Sequence, residues 1–95
     1  MINALIIHEN DSVVISLKDI SKGESVSYKT IDGQVVSFEV LDTVPPYHKI
    51  AIKDIKKGEP ILKYGEYIGI ASQDIKKGNH VHEHNVGSVR REMHD

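Results

Sequence analysis

Three of the chain's six histidines, His80, His82 and His84, fall within five residues in the stretch Asn79-His80-Val81-His82-Glu83-His84-Asn85. In an extended segment side chains alternate between faces, so these three imidazoles share one face while Val81 and Glu83 share the other. Neutral imidazoles at i and i+2 on a strand are a workable start for a divalent metal site, and imidazole is also the side chain best placed to move protons near neutral pH. Such a cluster is equally at home on a solvated surface. Its weight comes from the sequence leading into it, which is repeated.

The string Asp-Ile-x-Lys-Gly occurs at Asp19–Gly23, Asp54–Gly58 and Asp74–Gly78. Four residues before each Asp stand Ile15, Ile50 and Ile70, and three before it stand Ser16, Ala51 and Ala71. Seven residues after it come Val26, Ile61 and Val81. Each copy reads as strand, turn, strand. The Asp is expected to accept hydrogen bonds from backbone N–H groups just downstream, the Ile to fold into the core, and the Gly to take a positive φ. The lysines of the motif read as turn residues exposed to water.

Between the copies the signals are all β. Ala4–His8 and Ser12–Leu17 are apolar or β-branched and flank the turn-forming Glu9-Asn10-Asp11. Val26–Thr30 alternates, Asp32-Gly33 predicts a two-residue hairpin turn, and Val35–Val44 continues as strand. Val44-Pro45-Pro46-Tyr47 reads as an edge or connection, because two prolines remove ladder donors. His48–Lys53, Ile61–Tyr64 and Tyr67–Ala71 are short strands, the last two joined by Gly65-Glu66, with Tyr64 and Tyr67 packing beside that hairpin. No window shows helical periodicity. The expectation is one all-β domain of eight or nine short strands over residues 1–86, with a polar tail or linker start at 87–95.

Composition narrows the function. A chain of 95 residues buries only about 60–65% of its unfolded surface, so the core is modest and aliphatic. There is no cysteine, which excludes a disulfide framework, a thiolate nucleophile and a cysteine-based zinc site. Twelve Lys and Arg against fourteen Asp and Glu leave no surface predicted to neutralise many phosphates, so no nucleic-acid partner is expected. No segment approaches the ~20 apolar residues of a membrane span, and the start lacks the basic and apolar regions of a signal peptide. A cytoplasmic domain is the expectation.

The segment His48-Lys49-Ile50-Ala51-Ile52-Lys53-Asp54-Ile55, followed by Lys63-Tyr64-Gly65 and ending on Val81-His82-Glu83-His84-Asn85, resembles the N-terminal domain of the altronate and galactarate dehydratase family. Ala4-Leu5, Ile7-His8 and Val13–Gly23 extend the likeness toward the start. The resemblance implies an SAF-type β-clip fold of short, bent strands. It implies an enzyme that eliminates water from a sugar acid to give a 2-keto-3-deoxy acid, with iron or manganese as a divalent cofactor. A related branch removes sulfite from sulfolactate. In both, such a domain works with a large catalytic domain or subunit, and the present chain reads as a free-standing small subunit or an excised domain, with self-association a further expectation from its exposed strand edges. One departure stands out: Pro45-Pro46-Tyr47 precedes His48 where a flexible, Gly-containing turn is expected.

Dehydration requires a base for the proton alpha to the carboxylate, stabilisation of the enediolate-like charge, and an acid for the departing hydroxyl. His82, His84 and His48 are the candidates for acid–base work, and His82 and His84 for metal contact. Lys49, Lys63, Tyr64 and Asn85 are the candidates for substrate binding, with a Lys acting on a carboxylate as a point charge. His80 lies outside the matched motif, and His8 and His94 read as exposed. A second reading from a different class is a non-catalytic binding module on the same fold.

Overall fold

The computed structural model describes residues 2–87. Among them are nine strands and no helix: β1 (Ala4–Leu5), β2 (Val13–Ser16), β3 (Ser25–Lys29), β4 (Val35–Glu39), β5 (Lys49–Ala51), β6 (Pro60–Lys63), β7 (Glu66–Ala71), β8 (His80–Val81) and β9 (Val86–Gly87). They form a four-stranded sheet in the order β1-β2-β5-β8, a β3-β4 ribbon, and a three-stranded sheet in the order β6-β7-β9. Every pairing is antiparallel. The polar tail expected at 87–95, with His94, lies outside the described residues except for Gly87. No helix among the described residues is long and apolar enough to cross a membrane.

The repeated motif builds the fold by clasping in pairs. The second and third copies meet at an antiparallel bridge between Ile55 and Ile75, each N–H donating to the other's carbonyl at 2.7 Å. Around it the Lys57 N–H donates to Asp74 Oδ1 and the Lys77 N–H to Asp54 Oδ1, both at 2.9 Å. The Gly58 and Gly78 N–H groups reach the Ala71 and Ala51 carbonyls in the same reciprocal way. The motif Asp therefore accepts from the partner copy. The downstream N–H within each copy is capped by a different residue: Ser21 by Glu24, Lys56 by Glu59 and Lys76 by Asn79. That corrects the local-turn role expected for Asp. The glycines do take positive φ, with values of 92°, 91° and 97° for Gly23, Gly58 and Gly78.

The first copy also has a partner, hidden in the sequence. Ile20 bridges to Val44, the Lys22 N–H donates to Thr43 Oγ1, the Gly23 N–H to the Val40 carbonyl and the Tyr47 N–H to the Ser16 carbonyl. The segment Val40–Ile50 is thus a fourth, degenerate copy, with Thr43 for Asp, Val44 for Ile and Tyr47 for Gly. Tyr47 even keeps the glycine's left-handed backbone, at φ 66°. This is why the strand expected over Val35–Val44 stops at Glu39: Val40–Val44 turns away to clasp the first copy.

Each clasp seeds one apolar cluster. Ile20 and Val44 lie with Val26 and Ile50 in the first, and Ile55 and Ile75 with Ile61 and Val81 in the second. Strands β2 and β5 form the shared wall. Their paired Val14 and Ile50 face the first cluster, and Val13 and Ala51 face the second, as the two-residue period of a strand requires.

Two turns differ from expectation by one residue. Lys29 pairs with Val35 and the Thr30 N–H bonds Gln34, leaving a three-residue loop in which Gly33 (φ 95°) supplies the left-handed closing position. The second hairpin turns on Tyr64-Gly65, with φ of 58° and 77°, the pair of positive values that a type I′ turn needs. Tyr64 and Tyr67 do not pack beside it; both are exposed, and the Lys63 ammonium lies 4.6 Å from the Tyr64 ring centre.

Candidate metal centre

The β5–β8 register pairs Lys49 with Val81 and Ile50 with His80. Continued by one residue, it sets His48 opposite His82. The His48 and His82 rings stack at 4.7 Å between centres, and the His48 Nδ1 and His80 Nε2 atoms are 2.9 Å apart. His80 and His82 lie nearly parallel, 5.5 Å apart and 10° from coplanar orientation. One ligand nitrogen from each of His48, His80 and His82 falls within 4.8 Å of the other two. All three side chains are half-buried.

The histidine stretch is not extended throughout. Strand β8 ends at Val81, and residues 82–85 fold into a turn closed by the Asn85 N–H on the His82 carbonyl at 3.0 Å. Asn85, 4% exposed, clamps this turn: its Oδ1 accepts from the His82 N–H and its Nδ2 donates to the His80 carbonyl. Its amide therefore orients two of the three histidines through the backbone. His84, carried past the bend, is exposed, with its ring 5.6 Å from that of His80. The structure thus groups His80 with His48 and His82 and leaves His84 at the margin. Asp42 supports the group from behind, its Oδ2 accepting from the Asn79 side chain and the His80 N–H.

Pro45 has a direct part in freeing His48. His48 occupies the position that holds Glu24, Glu59 and Asn79 in the other copies, where those side chains cap the N–H three residues back. Pro45 has no N–H to cap. The His48 ring is released from that duty and joins His80 of β8 and His82 just beyond it. The departure noted before His48 in the sequence is therefore a device that redirects this side chain.

Burial, followed by the neighbouring His48, His84 and His82, lowers the pKa of His80 from its ordinary value, with Asp42 acting in the opposite sense. A neutral imidazole is the ligand form. As a fit test, N–metal bonds of about 2.1 Å place cis ligands about 3 Å apart and trans ligands at most about 4.2 Å apart. The 2.9 Å His48–His80 spacing meets the first value, and the upper bound of 4.8 Å asks for no more than a small rotation of one ring. His48 and His80 share a hydrogen bond in the metal-free chain, and with that proton lost and one ring turned the three nitrogens are grouped closely enough to receive a divalent ion.

Beside His82 opens a pocket of about 500 Å³, lined also by Lys49, Lys63, Glu83, Ile68 and Val86. Burial first, and Lys63 second, lower the pKa of the Lys49 ammonium. The backbone on either side of Lys63 is held by residues 11 and 12: the Leu62 N–H and carbonyl bond Ser12, and buried Asp11 accepts from the Gly65 N–H at 2.8 Å. Of the residues singled out in the sequence, His48, Lys49, Lys63 and His82 gather at this place. Tyr64 and Asn85 do not line the pocket; Tyr64 carries the Lys63 ammonium over its ring, and Asn85 holds the backbone of His80 and His82.

Residues 2–89 match the family described as the altronate/galactarate dehydratase SAF domain. The chain belongs to that family. The SAF domain is 47% identical over 80 residues to the altronate dehydratase of Bacillus subtilis (strain 168), covering 84% of this chain but 15% of that protein. It is 34% identical over 88 residues to the (2R)-sulfolactate sulfo-lyase subunit alpha of Chromohalobacter salexigens, covering 90% of this chain and 94% of that protein. It is also 32% identical over 77 residues to the galactarate dehydratase (L-threo-forming) of Escherichia coli (strain K12), covering 14% of that protein.

Proposed function

We propose that this SAF domain is the small component of a lyase that eliminates water from a sugar acid to give a 2-keto-3-deoxy acid, working with a large catalytic partner. The observation that carries the reading is the convergence of His48, His80 and His82 from two strands within 4.8 Å, in a chain 47% identical to part of an altronate dehydratase. These three side chains would hold the divalent ion of such a lyase. An all-imidazole donor set suits iron better than manganese, which prefers oxygen ligands. When bound, the ion supplies electrophilic stabilisation of the charge that develops on the substrate carboxylate as the alpha proton leaves. His84, exposed beside the triad, is placed to give or take a proton at its imidazole nitrogens, and Asn85 and Asp42 keep the triad's backbone in position.

A second reading is supported by the near full-length match to a sulfo-lyase subunit alpha: the same small component, serving removal of sulfite from a sulfonated hydroxy acid. The two share the proton chemistry and differ in the leaving group.

The test is affinity capture of the tagged chain from its native extract, with the recovered complex assayed on altronate, galactarate and sulfolactate. Stoichiometric recovery of one much larger protein, and release of a keto acid or of sulfite by the pair, is the expected result. Recovery of the chain alone would overturn the reading and leave the non-catalytic binding module in its place.

A further inference from the structure

The pocket beside His82 is built by parts that converge from two sheets. Lys49 is the first residue of β5 and Lys63 the last of β6. Both residues line one cavity, close enough for the Lys63 charge to lower the Lys49 pKa, with the Lys63 ammonium over the Tyr64 ring. Like charges brought together, both on half-buried stems, oppose folding. A single carboxylate, Glu83, is among the lining residues. The wall opposite is set by close backbone approach: a Cβ on Gly69 would lie 2.4 Å from the Gly87 carbonyl oxygen, so β9 can sit against β7 only because residue 69 has none. The same approach sets the Val86 side chain against residue 69, and Val86 and Ile68 give the pocket its apolar lining. Its volume of about 500 Å³ suits a small molecule.

We propose that Lys49 and Lys63 form an anion subsite that takes the carboxylate of a small polyhydroxy acid and sets the carbon chain against His82. The two ammonium groups act as point charges on the carboxylate oxygens, the hydroxylated carbons run along the Ile68–Val86 floor, and His82 meets the far end. This deepens the lyase reading and rests on it for the identity of the acid, but the binding step needs neither a metal nor a partner.

The test is titration of the full chain, metal-free, with galactarate, with the uncharged polyol galactitol, and with inorganic sulfate, followed by NMR of the lysine ammonium and imidazole side chains. Galactarate is expected to bind saturably, shifting Lys49, Lys63 and His82, and added salt to weaken it. Galactitol is expected to leave those signals unmoved and sulfate to bind at least about tenfold more weakly, lacking the chain contacts. Lys49→Met with Lys63→Met should weaken galactarate about tenfold or more, the scale of lost charge-assisted contacts. Lys76→Met, on an exposed turn, should change nothing. Absence of saturable binding, equal binding of galactitol or sulfate, or undiminished binding in the double variant would overturn the subsite. Failure of the lyase reading shows separately, as a complex without turnover on an acid that still binds. If the lysines instead receive an acidic side chain of a partner, galactarate will not bind and the double variant will lose the large protein in capture.

Discussion

The Nδ1 atom of His48 lies 2.9 Å from Nε2 of His80, although 32 positions separate them in the chain. Two facts of the fold bring them together. The β5–β8 register sets residue 48 opposite residue 82, and Pro45 removes the N–H that would otherwise occupy the side chain at position 48. The histidine site is therefore a product of the clasped repeats, built where the fourth copy departs from the other three.

Restoring the missing donor should recapture His48. In Pro45→Ala the new N–H becomes available for capping, as the corresponding N–H groups are to Glu24, Glu59 and Asn79. His8 shows that an imidazole in this chain can do this, its Nδ1 accepting from the Asn10 N–H at 3.2 Å. A competing hydrogen bond of about 0.5–1.5 kcal/mol lowers metal affinity by a factor of roughly 2–10. Calorimetric titration of the variant checks this; unchanged affinity would show that Pro45 does not release the ring.

The clasp carries the stability. Ile75 is buried against Ile55, whereas Ile31 is exposed in the β3–β4 loop. Ile75→Ala should cost about 2–4 kcal/mol and Ile31→Ala less than about 0.5 kcal/mol. Asp54→Ala, which removes the acceptor for the Lys77 N–H, should fall between, near 1 kcal/mol. Urea unfolding midpoints at constant slope measure all three.

Much of this fold is legible in the sequence because the three motif copies are nearly identical, and most turn residues with positive φ, Tyr47 and Tyr64 apart, are marked by Gly. The fourth copy is not legible. Thr43 replaces Asp, Tyr47 replaces Gly, and prolines stand where lysines do, so only Val44 and Ile50 keep the apolar pattern. A strand pattern therefore reads straight through it. The histidine cluster is half legible: alternation puts His80 and His82 together, but the bend after Val81 that sets His84 aside depends on Asn85 reaching back to His80. The arrival of His48 depends on a long-range register that no local pattern encodes.

Acid should destabilise the metal-free chain. The folded-state pKa of His80 is lowered from its ordinary 6.5, so the unfolded chain binds the proton first as pH falls. The contribution is fully present above pH 6.5 and is lost as pH drops through the lower, folded value. His80→Gln should flatten this part of the stability–pH curve, read from denaturant midpoints between about pH 7 and 5. A curve of unchanged slope would assign the acid sensitivity elsewhere.

In the proposed function His48, His80 and His82, rather than the His82–His84 pair, hold the metal. Anaerobic titration of the full chain with Fe(II), followed by calorimetry, tests it most directly. The expected result is one ion per chain, an affinity at least about tenfold weaker in His48→Ala, His80→Ala and His82→Ala, and near wild-type binding in His84→Ala. Wild-type binding in His80→Ala with loss in His84→Ala, or no stoichiometric binding by the chain, would contradict it.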